Sequence, residues 1–61
     1  MERIYTPEEA ALRLRIHKDT MYKLLRENKV KHFRIGRRYF IRESALEEFI
    51  KEQEESGLAV L

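Results

Sequence analysis

Residues 13–42 hold eleven of the chain's thirteen lysines and arginines but only two of its eleven aspartates and glutamates. A net charge of +9 is therefore packed into the middle of a chain whose total is +2. Such side chains pair with phosphate oxygens, and the release of condensed counterions then drives binding to a polyanion. Two groups stand out by spacing. Lys18, Lys23 and Arg26, with Asp19 and Tyr22 among them, recur as the outer face of a helix would, whereas Arg34, Arg37 and Arg38 flank Gly36 in a stretch of period two. The bland alternative is a solvated face, since Lys and Arg are common on every soluble surface. A random surface would not separate the signs of charge so sharply along the chain.

Other chemistries find less support. His17 and His32 lack the spacing of metal ligands and there is no cysteine, so no metal site and no cofactor are expected. His17 reads as a helix cap or a phosphate contact, and His32 as a strand residue. Ser44 and Ser56 are the only serines, and both suit helix ends better than nucleophilic catalysis. Glu47, Glu48, Glu52, Glu54 and Glu55 offer paired carboxylates on a solvent face with no pocket to raise a pKa. An enzyme is not expected.

The elements that must position the basic groups follow from caps and periodicity. Thr6-Pro7-Glu8-Glu9 is a helix start: Thr6 caps, Pro7 suits the first position, and Glu9 completes a capping box. The first helix runs to about Leu14, with Ala10, Ala11 and Leu14 on one face and Leu12 exposed nearly opposite. After a break at Arg15-Ile16 a second helix begins near His17 or Lys18. Met21, Leu24 and Leu25 form its inner stripe; Asp19, Tyr22, Lys23 and Arg26 face outward. Asn28 stops it, because Asn tolerates the left-handed conformation. His32–Ile35 and Tyr39–Ile41 then read as two short strands with Gly36-Arg37-Arg38 as the hairpin tip. Ser44-Ala45-Leu46-Glu47 repeats the capping-box pattern, and Leu46, Phe49, Ile50 and Gln53 mark the inner face of a third helix ended by Ser56-Gly57.

Two short helices joined by a tight turn, the second with a basic outer face, are the ingredients of a helix-turn-helix, and a hairpin directly after makes it winged. Tyr5–Ala11, Ile16–Leu25 and Phe33–Ile41 together resemble the excisionase-family DNA-binding domain, which is related to the winged helix-turn-helix of MerR-type regulators. The resemblance covers about residues 4–50, and its most specific element is Arg34-Ile35-Gly36-Arg37-Arg38-Tyr39. It implies a small protein binding double-stranded DNA, in phage or mobile-element excision or in transcription regulation. By that analogy the second helix enters the major groove through His17, Lys18, Asp19, Thr20, Tyr22, Lys23 and Arg26. The wing contacts the neighbouring minor groove through Arg34, Gly36, Arg37, Arg38 and Tyr39. Arg15 stands where the family usually has a turn Gly, His17 where it has a Ser cap, Asn28 where Gly ends the second helix, and Leu12 where a polar residue is usual.

Sixty-one residues allow one domain with a small core. The expected architecture is α+β: a small winged helix-turn-helix over residues 1–57, followed by an apolar tail, residues 58–61. The lack of cysteine and of any signal-like or membrane-length apolar run points to a cytoplasmic protein without membrane association. The expected function is sequence-selective binding of double-stranded DNA as an excisionase-like architectural factor. A small MerR-like transcriptional regulator is the alternative, and a protein-interaction adaptor is the alternative of another class. Leu12 and Leu58-Ala59-Val60-Leu61 would serve an integrase or recombinase, RNA polymerase, or cooperative self-association on DNA. An RNA reader is disfavoured, because the core needs some of the three aromatics Phe33, Tyr39 and Phe40.

Overall fold

Thr6 begins the fold with two reciprocal bonds. Its hydroxyl accepts from the Glu9 N–H at 3.2 Å, and its own N–H donates to Glu9 Oε1 at 2.9 Å, the expected capping box with Pro7 as first residue. In the computed structural model, which describes residues 2–60 and the side chains as far as Gly57, helix α1 spans Pro7–Leu14 and helix α2 Lys18–Arg26.

Both helices end in the same left-handed device. Arg15 (φ 58°) and Asn28 (φ 57°) are the two non-glycine residues of positive φ among those described. After α1, the N–H of Ile16 reaches Ala11 O at 3.0 Å and that of Arg15 reaches Leu12 O at 3.1 Å. After α2, Lys29 N–H reaches Leu24 O at 2.9 Å and Asn28 N–H reaches Leu25 O at 3.1 Å. These paired six-to-one and five-to-two bonds are Schellman motifs, which satisfy carbonyls that the helix leaves without partners. Arg15 thus takes the conformation that Gly would supply.

Strands β1 (Ile4–Tyr5), β2 (Phe33–Ile35) and β3 (Arg38–Arg42) form one antiparallel sheet in the order β1-β3-β2. The hairpin was expected; β1 was not, because two residues carry no detectable period. It pairs Ile4 with Arg42 and Tyr5 with Ile41. His32, expected in a strand, precedes β2 instead, and its ring Nδ1 bonds the Val30 carbonyl at 2.8 Å. The tip is also tighter than expected: Gly36 and Arg37 alone form the loop, and Arg38 is already paired with Ile35. Gly at φ 64° in the first loop position supplies the primed turn whose twist matches the strands.

Helix α3, Glu43–Val60, corrects the sequence reading at both ends. Ser44 is not its cap but lies inside the helix, directly after β3. Two residues from the start of the chain do the capping. Arg3 O accepts from the Glu43 N–H at 2.8 Å, and Glu2 Oε1 accepts from the Ser44 N–H at 2.7 Å. Ser56-Gly57 does not end the helix, since a single Gly costs about 1 kcal/mol in a helix interior and does not by itself break it. The side chains of the apolar tail expected at 58–61 lie outside the described residues.

Five of the six elements contribute to the core, β2 being the exception: Tyr5 from β1, Ala10 and Ala11 from α1, Met21 and Leu25 from α2, Ile41 from β3 and Leu46 from α3, with Val30 from the loop. The two alanines let α1 and α2 approach closely, which fixes the angle at which α2 is presented. Leu14, Leu24, Tyr39, Phe49 and Ile50 pack around this nucleus. Leu12 is 78% exposed, as its helical position requires. Phe33 and Phe40 do not join the core; they stack on each other across the hairpin at 5.6 Å on the outward face of the sheet.

Candidate nucleic-acid interface

The outer face of α2 is built from its N-terminus upward. His17 is the N-cap, and its Nδ1 accepts from the Asp19 N–H at 3.1 Å. That bond requires a lone pair on Nδ1, so the Asp19 carboxylate 3.5 Å from the same atom is a neighbour and not an ion-pair partner in this arrangement. The capping reading of His17 therefore holds, with the other ring nitrogen unused by the cap. Asp19 sits in the first turn, where a carboxylate favours the positive end of the helix. Lys18, Asp19, Thr20, Lys23 and Arg26 are exposed, and Tyr22 is half-buried. From Lys18 to Arg26 the helix rises about 12 Å, comparable with the width of the major groove, about 12 Å.

Tyr22 is the hinge between this helix and the wing. Its ring meets Tyr39 edge-on at 6.1 Å, and Tyr39 meets His32 at 5.3 Å. The Arg34 guanidinium also lies over the Tyr39 ring, at 5.0 Å. Of the wing residues singled out in the sequence, Tyr39 is a packing residue that props the hairpin against α2, and Arg34 stacks on it. Arg37 and Arg38 are exposed at the tip. Where β1 stops short along β3, a cleft of about 270 Å³ opens between α1, α2 and the wing, lined among others by Glu8, Tyr22, Arg37, Arg38 and Tyr39.

Glu8 is the member of this site that sequence reasoning missed. Its Oε2 accepts the Tyr22 hydroxyl proton at 2.7 Å. That bond first, then the residue's own backbone N–H, with Lys18 and Arg38 adding attraction, holds the Glu8 carboxyl below its ordinary value; the same bond, with desolvation and the nearby carboxylate charge, raises the Tyr22 hydroxyl above its own. In the sequence Glu8 reads only as a first-turn acid, and nothing marks its contact with a residue fourteen positions on.

The basic block itself divides. Arg13 donates to the Tyr5 hydroxyl at 2.6 Å, lies 3.3 Å from Glu43 Oε2 and 3.7 Å from Glu47 Oε1, and so belongs to the fold. Lys31 pairs with Glu48 at 3.2 Å, and Arg42 lies 3.9 Å from Glu2. The first acids of α3 are thus partners of the block's flanks and not simply a solvated face. Among the described residues, Lys18, Lys23, Arg26, Arg34, Arg37 and Arg38, with Arg15 and Lys29 in the turns on either side of α2, form no salt bridge and remain available to an external anion. No group of three His, Asp or Glu side chains that could hold a metal occurs among the described residues, and no helix there is long and apolar enough to cross a membrane.

The chain matches, over residues 4–54, a family described as a helix-turn-helix domain. No curated protein and no solved structure matches it.

Proposed function

We propose, from the premise that this chain belongs to the helix-turn-helix domain family, an excisionase-like family of DNA-binding proteins, that it binds double-stranded DNA selectively and shapes the duplex as an architectural factor in recombination. Helix α2 reads the major groove with Lys18, Asp19, Thr20, Lys23 and Arg26, and the Arg37-Arg38 tip holds the adjacent backbone or a narrow minor groove. One observation carries this reading. Of the eight cations of the central block that form no salt bridge among the described residues, six lie on α2 and the wing and two, Arg15 and Lys29, lie in the turns that flank α2, while Arg13, Lys31 and Arg42 are engaged by acids elsewhere.

The size of this single domain favours an architectural role over a solitary repressor. Its accessible surface is 5040 Å², and a single DNA-binding module buries about 600–1,000 Å². One copy therefore binds weakly, and occupancy rises when repeated sites hold neighbouring copies or a recombinase. Transcription regulation through RNA polymerase uses the same DNA contacts and differs only in the partner.

A salt titration tests the proposal. Binding to duplex DNA should weaken linearly on a log–log plot, and replacing Arg37 and Arg38 together by Ala should flatten the slope by about 1.8, since each phosphate neutralised contributes about 0.9. A protein that bound no duplex at low salt, or a double variant with the parental slope, would contradict it. Selection of bound duplexes from a random pool then separates phased repeats, expected for an architectural factor, from single operators.

A further inference from the structure

We infer that Glu8, which lies outside the reading helix, sets base preference: with the Tyr22 hydroxyl oxygen it forms an acceptor-only patch that receives the exocyclic amino group of a cytosine or adenine in the major groove. The inference rests on the DNA-binding reading above and names a specificity residue within that surface.

The position makes the argument. Glu8 lines the cleft between the outer face of α2 and the Arg37-Arg38 tip, so a duplex that touches both elements passes over it. A carboxylate there repels phosphate and costs affinity on any sequence unless a donor meets it. Its presence is not required for capping, because Glu9 and Thr6 complete the capping box. Its hydrogen bond dictates what it can accept. Tyr22 Oη gives its only proton to Glu8 Oε2 and keeps its lone pairs, while the carboxylate has acceptor capacity beyond that one bond. The patch therefore offers acceptors alone, in the same cleft as the donors Arg37 and Arg38 that hold the backbone. In the major groove the cytosine N4 and adenine N6 amino groups are the donors, and guanine and thymine present acceptors at the corresponding edge. The Tyr22–Tyr39 contact fixes the phenol ring, so the patch is set before DNA arrives.

The experiment compares the parent, Glu8→Gln and Tyr22→Phe on duplexes selected from a random pool. Base analogues lacking the amino group are then placed one at a time, purine for adenine and pyrimidinone for cytosine; the analogue that matters tells which base is read. The parent should lose roughly fivefold or more in affinity at one position when the amino group is removed, while Glu8→Gln should lose little there and bind unrelated duplexes more tightly. Tyr22→Phe should weaken the same preference with the carboxylate intact. If Glu8→Gln selects the same sequences and suffers the same loss on each analogue, Glu8 does not read a base and only the inference fails. If the parent binds no duplex at low salt, the DNA-binding reading fails with it.

Discussion

Arg15 shows how much one residue can cost in a chain this small. It holds φ 58° so that Ile16 and Arg15 can close the Schellman motif that turns α1 into α2. For a residue with a Cβ this conformation costs about 1–2 kcal/mol. Glycine there would remove that strain while raising the entropy of the unfolded chain, which offsets part of the gain. Arg15→Gly should therefore stabilise the protein by about 0.5–1 kcal/mol, read from the midpoint of denaturant unfolding. The substitution also removes an exposed cation at the turn preceding the reading helix. A gain in stability with a weaker salt slope would assign Arg15 a phosphate contact; a gain with an unchanged slope would make it purely a turn residue. Asn28, at φ 57°, solves the same geometry with a side chain that tolerates it, and Arg13 illustrates the opposite case, a cation of the block whose Tyr5, Glu43 and Glu47 partners make it part of the scaffold.

Among the elements, α3 is held by the far end of the chain. Glu2 caps it through the Ser44 N–H, and hydrogen bonding to Ser44, its side chain first and then its backbone, ahead of the attraction of Arg42, holds the Glu2 carboxyl below its ordinary value of 4.5. A lowered folded-state pKa contributes stability that is complete above the ordinary value and is lost as pH falls through the lower one. Thermal unfolding followed from neutrality down to about pH 3 should show stability declining with acid, and Glu2→Gln should be less stable at neutrality with a shallower decline. Equal slopes for the two proteins would mean that the cap carries no pH dependence. This contact also explains what the sequence could not disclose. Thr6-Pro7-Glu8-Glu9, the apolar stripes of α1 and α2 and the Gly36 turn are local patterns, and they were legible because propensity and capping act within a few residues. The strand β1, the capping of α3 by Glu2 and Arg3, and the Glu8–Tyr22 bond join residues 14 to 42 positions apart, beyond the reach of any local period. Ser44 was misread for the same reason: a valid capping signal lost to a chain that runs from β3 straight into the helix. Within the interface, the charge pattern located the basic surface, but only the tertiary ion pairs separated Arg13, Lys31 and Arg42 from the cations left open.

At the scale of the whole molecule the separation of charge becomes a question of distance. The body measures 41 × 27 × 19 Å, and the part of α3 beyond Ile50 is exposed throughout its described side chains, with Glu52, Glu54 and Glu55 on it. At 0.15 M salt the screening length is about 8 Å, and at 0.01 M about 30 Å. The open cations sit on α2, the turns beside it and the wing, so acids projecting from α3 can influence an approaching duplex only when screening is weak. Their effect is then on orientation and encounter: the acidic end turns away, the basic face turns in. Replacing Glu52, Glu54 and Glu55 together by Gln raises the net charge from +2 to +5 and removes that asymmetry. In stopped-flow association at about 0.01 M salt the variant should bind DNA faster, and at about 0.15 M it should match the parent, with the selected sequences unchanged at both. An acceleration that persisted at the higher salt would place these carboxylates within a screening length of bound DNA, and the duplex would then have to lie along α3 instead of across α2 and the wing.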